Sequence, residues 1–99
     1  MRPEVHDHSY LLRLYVTGNT PRSIRAVEAI RQICEEHLRG LYRLEVFDIH
    51  QHPELARSEQ LVAAPTLIRE RPLPLRRLVG DMSRRDRVLD GLGLAGAVA

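Results

Sequence analysis

Thr20-Pro21-Arg22-Ser23 places two hydroxyls three residues apart, the spacing at which a redox pair of cysteines sits at the first turn of a helix. A helix N-terminus supplies the field that lowers a thiol pKa and yields the reactive thiolate. Hydroxyls of very high pKa cannot carry that chemistry, so thiol–disulfide exchange is excluded at these positions. The single cysteine, Cys34, does not replace it. It lies roughly 16 Å further along the axis at 1.5 Å per residue and reads as a small buried hydrophobe on the core face. The function is therefore expected in surfaces, with no catalytic residue and no cofactor.

Two histidine pairs, His6-x-His8 and His50-x-His52, invite a metal-site reading, because imidazoles are common zinc and copper ligands. The first pair precedes the first strand and the second follows the second strand. If those strands run parallel, the pairs are separated by about 26 Å, eight residues at 3.3 Å each, so they are read as solvated loop residues with no metal. The run Arg84–Arg87 reads as a solvated helix face. Arg76 and Arg77 on an exposed strand, with Arg69 on its hairpin partner, form a better candidate patch for a protein partner, because a strand presents alternate side chains on one face.

The elements that must position these groups follow from periodicity. Tyr10–Thr17 is apolar and β-favouring, broken by Arg13 and stopped by Gly18-Asn19, and predicts a buried strand. Thr20 then stands as N-cap and Pro21 at the first helical position. Ile24, Val27, Ile30, Ile33, Cys34 and Leu38 mark the apolar face of a helix ending near Arg39-Gly40. Tyr42–Ile49 predicts a strand at or near a sheet edge, charged by Arg43 and Glu45, whose unpaired groups a partner strand could match. His52–Gln60 predicts a short helix. Leu67–Arg69, the loop "ERPLP" and Leu75–Val79 predict a hairpin with a long turn, after which Ser83 caps a last helix over Arg84–Leu92. A strand–helix–strand order requires a right-handed crossover and a parallel pair.

With 99 residues the chain has room for one domain, read as a flexible N-terminus over 1–9, a domain over 10–94 and a tail over 95–99. It is 43% apolar and 28% charged, and no run approaches the roughly 20 apolar residues of a membrane span. The polar start does not read as a signal peptide, and one cysteine fits a reducing cytoplasm. All 15 cationic side chains are arginine, yet the net charge is only +2 and the acids are interspersed, so nucleic-acid binding is not expected.

The order β-α-β-α-β-β-α, with "TPRS" at the C-x-x-C spacing, "APT" before the third strand and "LVGDMS" after the fourth, resembles the thioredoxin-like fold of the α/β class. In that fold the proline corresponding to Pro65 is cis. The segments "LYVTGNTPRSIRAV", "VFDIHQHPELA", "AAPTL", "PLPLRRLVGDMS" and "DRVLDGLGL" together resemble the KaiB family of circadian clock proteins over Tyr10–Leu94. That resemblance implies a non-enzymatic protein that binds the ring ATPase KaiC, with a KaiA-like protein or a histidine kinase as further possible partners. It also implies Arg25 and Asp48 as contact residues beside Arg69, Arg76 and Arg77.

KaiB proteins are known for a second, ground-state fold with a rearranged C-terminal half, usually a homo-oligomer (tetramer or dimer), and this is the alternative architecture here. Pro65, Gly91 and Gly93 lie in that half, where prolines and glycines interrupt short apolar runs and no element is committed by propensity alone. Two departures stand out: the acidic C-terminal tail common in cyanobacterial members is missing, and Gly93 replaces an acidic residue. A glycine there is expected to loosen the last helix, whereas Gly91 is expected inside it.

Overall fold

The computed structural model describes residues 9–58 and 65–94, which form β1 (Tyr10–Val16), α1 (Pro21–His37), β2 (Tyr42–Asp48), α2 (Pro53–Ser58), β3 (Thr66–Arg71), β4 (Arg76–Val79) and α3 (Arg85–Gly91). This is the thioredoxin-like order. One sheet runs β2-β1-β3-β4. β1 is parallel to β2, with Tyr10 opposite Tyr42 and Val16 opposite Asp48, while β3 is antiparallel to both β1 and β4.

The period of two along β1 sends Leu12, Leu14 and Val16 to one face, where they meet Ala26, Ile30, Ile33 and Cys34 of α1 and Val88 and Leu89 of α3. Full burial of each large aliphatic side chain stabilises the fold by about 1.5–3 kcal/mol. On the opposite face Tyr15 stacks on Phe47 with ring centroids 5.3 Å apart. Arg13 there pairs with Glu45 of β2 at 3.2 Å and with Glu70 of β3 at 3.8 Å, fastening three strands.

Several boundaries differ from the sequence expectation. The buried stripe of α1 is Ser23, Ala26, Ile30, Ile33 and Cys34, and Ile24 is 48% exposed, because the stripe sits one position round from Ile24. Glu70 and Arg71 extend β3 into what reads as loop: Arg71 pairs with Leu11 beyond a register shift, and Glu70, at the shift, reaches Arg13. Ser83 does not cap α3. Its N–H and Oγ–H both donate to Asp81 Oδ1, at 2.9 and 2.6 Å, in a local turn, and α3 begins behind Arg84 without a side-chain cap. Among the described residues no helix is long and apolar enough to cross a membrane.

Pro65 is buried, and its carbonyl accepts the Gly80 N–H at 2.9 Å. The expected cis Ala64–Pro65 bond lies outside the described residues, whereas Arg71–Pro72 and Leu73–Pro74 are cis. Gly91 is not interior but the last residue of α3, and a Cβ there would stand 3.1 Å from Leu78 Cδ1. Any helical gain from replacing it is therefore set by how far Leu78 can move.

Gly93 corrects the expectation of a loosened helix. It has φ +78°, its N–H donates to Asp90 O at 3.1 Å, and Leu94 N–H donates to Leu89 O at 2.7 Å. With Leu89 and Leu94 both buried, this is a Schellman closure, in which the left-handed position favours glycine and terminates the helix. Gly93→Ala should therefore lower unfolding free energy by about 1–2 kcal/mol, the cost of a Cβ in the left-handed region. The new Cβ would also stand 3.0 Å from Arg69 Nη1. Urea denaturation measures this, and an unchanged midpoint would show that the left-handed closure contributes nothing.

Candidate functional site

The junction of β1 and α1 holds its two hydroxyls in a closed hydrogen-bond set. Thr20, in extended conformation as N-cap, accepts the Ser23 N–H at 3.1 Å and donates its own O–H to Ser23 Oγ at 3.0 Å. Ser23 Oγ–H donates to Thr17 O at 3.3 Å, and the same oxygen accepts the Thr17 N–H at 3.2 Å. Both hydroxyl protons are engaged, that of Thr20 within the cap and that of Ser23 in tying the end of β1 to the start of α1. Cys34 is fully buried, and burial, helped by Glu35, pushes its thiol up to about 12. It is a neutral packing group at physiological pH.

Around the same end of the sheet lie two of the expected contact residues, on different sides. Asp48 accepts N–H groups from His50 at 2.9 Å and Gly18 at 3.0 Å, and these two bonds hold its carboxyl below the usual carboxylate range. Arg25 is exposed on α1 and, with Arg22, Pro65, Asp81 and Met82, lines a hollow of about 250 Å³. The Ser83 hydroxyl and N–H, and the field of both arginines, lower the Asp81 carboxyl. His52 packs edge-on to Phe47, with centroids 6.3 Å apart, and its Nδ1 is 3.5 Å from Glu54. His6 and His8 lie outside the described residues. Among the described residues no three His, Cys, Asp or Glu side chains are grouped as metal ligands.

Arg69, Arg76 and Arg77 do not form one patch. Arg76 is opposite Arg69 and Arg77 opposite Ile68 in the β3–β4 register, so consecutive Arg76 and Arg77 leave β4 on opposite faces. Arg69 is only 6% exposed, bonded to the carbonyls of Leu92 and Pro74, and is unavailable to a partner. What is presented is the outer edge of the hairpin. Leu73 is 77% exposed and Leu75 54%, with Arg71, Arg76 and Arg77 exposed around them and Val79 exposed at the far end of β4. The sequence puts Leu73 in the loop and Leu75 at the start of the following strand and marks neither as a contact residue; the signal for them is the Pro-Leu-Pro-Leu spacing, which stiffens the turn.

A second open surface runs between α1 and β2. Ile24, Val27 and Arg31 of α1 face Val46 and Asp48 of β2 across a groove of about 590 Å³. β2 is hydrogen-bonded to β1 alone among the described strands, as expected of an edge. At its start Tyr42 O–H donates to Glu35 at 2.6 Å, a bond that raises the phenol to about 12.

The family model described as the KaiB domain matches residues 13–94. The chain is 49% identical over 86 residues to the circadian clock oscillator protein KaiB of Prochlorococcus marinus (strain MIT 9313), covering 87% of this chain and 72% of that protein. It is 46% identical over 86 residues to the protein of the same description from Synechococcus elongatus (strain ATCC 33912 / PCC 7942 / FACHB-805), covering 87% and 84%. Among solved structures, the N-terminal domain of Synechococcus elongatus SasA superposes with a TM-score of 0.73 at 22% identity, over 100% of this chain and 93% of that one. Chloroplastic thioredoxin z follows with 0.67 at 14% identity, over 91% and 80%. These two likenesses concern the fold.

Two outcomes follow from the junction and its surroundings. Cys34 in the native protein should be unreactive towards an aromatic disulfide reagent at pH 8 and react fully in denaturant; rapid native labelling would contradict its burial. Asp48, whose folded pKa is depressed, contributes stability that is complete above the unfolded carboxylate value, about 4, and is lost as pH falls through the lower folded value. Asp48→Ala should thus cost stability at pH 7 and show a shallower acid decline than wild type. Parallel declines in urea midpoints against pH would show that Asp48 is not linked to folding.

Proposed function

The chain belongs to the KaiB family, and from that premise we propose that it is a non-enzymatic clock component that docks on a KaiC-like ring ATPase and changes its output. The observation that carries docking is the hairpin edge, where Leu73 and Leu75 are exposed among Arg71, Arg76 and Arg77. A cluster of exposed apolar side chains rimmed by polar groups marks an interaction surface, arginine is among the residues enriched at binding hot spots, and guanidinium groups suit an acidic partner surface. Arg25, on α1, adds cationic charge at the other end of the sheet.

In this reading the half from β3 to α3, which contains Pro65, Gly91 and Gly93, can also adopt the family's second arrangement, in a homo-oligomer. Such exchange requires two packings within a few kcal/mol. What supports it is the brevity of the elements concerned, four residues in β4 and seven in α3. The second reading, a thioredoxin-like sensor or adaptor for another protein such as a KaiA-like or histidine-kinase partner, draws on the open groove between α1 and the edge strand β2. Either function is carried out in the cytoplasm.

Binding of the purified chain to a KaiC-like ATPase, followed by surface kinetics, separates these readings. Arg76→Glu with Arg77→Glu should weaken binding at least about tenfold, mostly through slower association, as expected when charges at an interface are reversed. The circular dichroism spectrum should be unchanged. Wild-type binding by the double variant would move the dock away from the hairpin. Failure of the wild-type chain to bind would favour the adaptor.

A further inference from the structure

Arg69 combines two properties that conflict. It is buried within β3, and a guanidinium stays protonated in any protein environment. A buried charge is costly unless it is matched. Among the described residues no carboxylate pairs with it, and the neighbouring Glu70 reaches Arg13 instead. Its charge is met by two carbonyl groups: Nη1 donates to Leu92 O at 2.8 Å and Nη2 to Pro74 O at 2.7 Å, while Nε has no acceptor.

Those two carbonyls belong to different segments. Leu92 is the C-cap of α3, where the last carbonyls lack helical donors and carry the negative end of the helix dipole. Pro74 lies in the turn between β3 and β4. An independent feature fits the same geometry: Gly93 leaves the space that Nη1 occupies, since a Cβ there would stand 3.0 Å from it. The planar fork of arginine can span two acceptors in fixed directions, whereas the single ammonium of lysine cannot reproduce that span.

We infer that Arg69 is a latch that joins the hairpin tip to the C-terminal end of α3, so that the two open and close as one cooperative unit. Leu73 and Leu75 flank the very carbonyl that Arg69 holds. A contact at the exposed tip is thereby transmitted to α3 through Pro74 O, the guanidinium and Leu92 O. That consequence rests on the docking reading given above; the latch itself does not.

Native-state hydrogen exchange on the full chain, without partner, tests it. In the wild type the amides of Leu92 and Leu94 and those of β4 should merge on one opening isotherm as urea is raised; separate isotherms would overturn the latch without any variant. In Arg69→Met, which keeps the apolar stem and removes the fork, Leu92 and Leu94 should lose protection by at least about tenfold, since bonds to a charged donor are the stronger class. The β4 amides should fall by less and α1 should hold. Arg69→Lys should resemble Arg69→Met. An equal loss at every amide, α1 included, would make Arg69 a general core residue and overturn the proposal. With a KaiC-like ATPase bound, protection of α3 should rise in the wild type and not in Arg69→Met. If the unliganded results hold and this rise is absent, docking at the tip fails while the latch stands.

Discussion

Burial of Leu12, Leu14 and Val16 beneath α1 is the constraint on which the rest of the molecule depends. β1 is central, with β2 on one side and β3 on the other, and the register of both neighbours is counted from it. A slip of one residue would exchange this apolar set for Leu11, Arg13 and Tyr15 and expose the core. Because α1 crosses from the end of β1 to the start of β2, the same burial makes those strands parallel and puts β2 at the edge. The edge strand, the groove beside it and the hairpin on the far side are all consequences of that placement.

The two ends of the sheet are put to different uses. At the end where β1 enters α1, a thiol pair would stand in the field of the helix N-terminus, but Thr20 and Ser23 bond each other and the Thr17 backbone. The scaffold of a redox enzyme is kept and its reactive position is converted into a structural joint. At the other end, the proline-containing turn holds Leu73 and Leu75 out in solvent. A KaiB-family chain thus has thioredoxin-like geometry with bonded hydroxyls where a thiol pair would stand.

The C-terminal half is assembled from features that each give up some local stability. α3 has no side-chain cap at its start, and the cation beneath it is matched by carbonyl dipoles instead of a carboxylate, whereas its left-handed glycine end closes the helix. Segments held by few buried contacts sit at the low end of the range of local opening energies.

The sequence by itself determined the order of elements, the N-cap at Thr20, the parallel pair and the edge position of β2, because each is dictated by local periodicity, by capping chemistry or by the handedness of a crossover. The KaiB resemblance was equally legible, carried by short segments spread along the domain. Tertiary structure decided which face each side chain occupies. Arg69 and Arg76 both read as exposed strand arginines and share one face as cross-strand partners, yet Arg69 is buried and Arg76 is not, since the period of two names a face without saying how far α3 and the turn will cover it. Gly93 read as a weak helix residue and became a helix terminator. The sequence placed the helix end within one residue, at Leu92, but the role of Gly93 depends on a backbone dihedral and on two hydrogen bonds that form only in the folded closure.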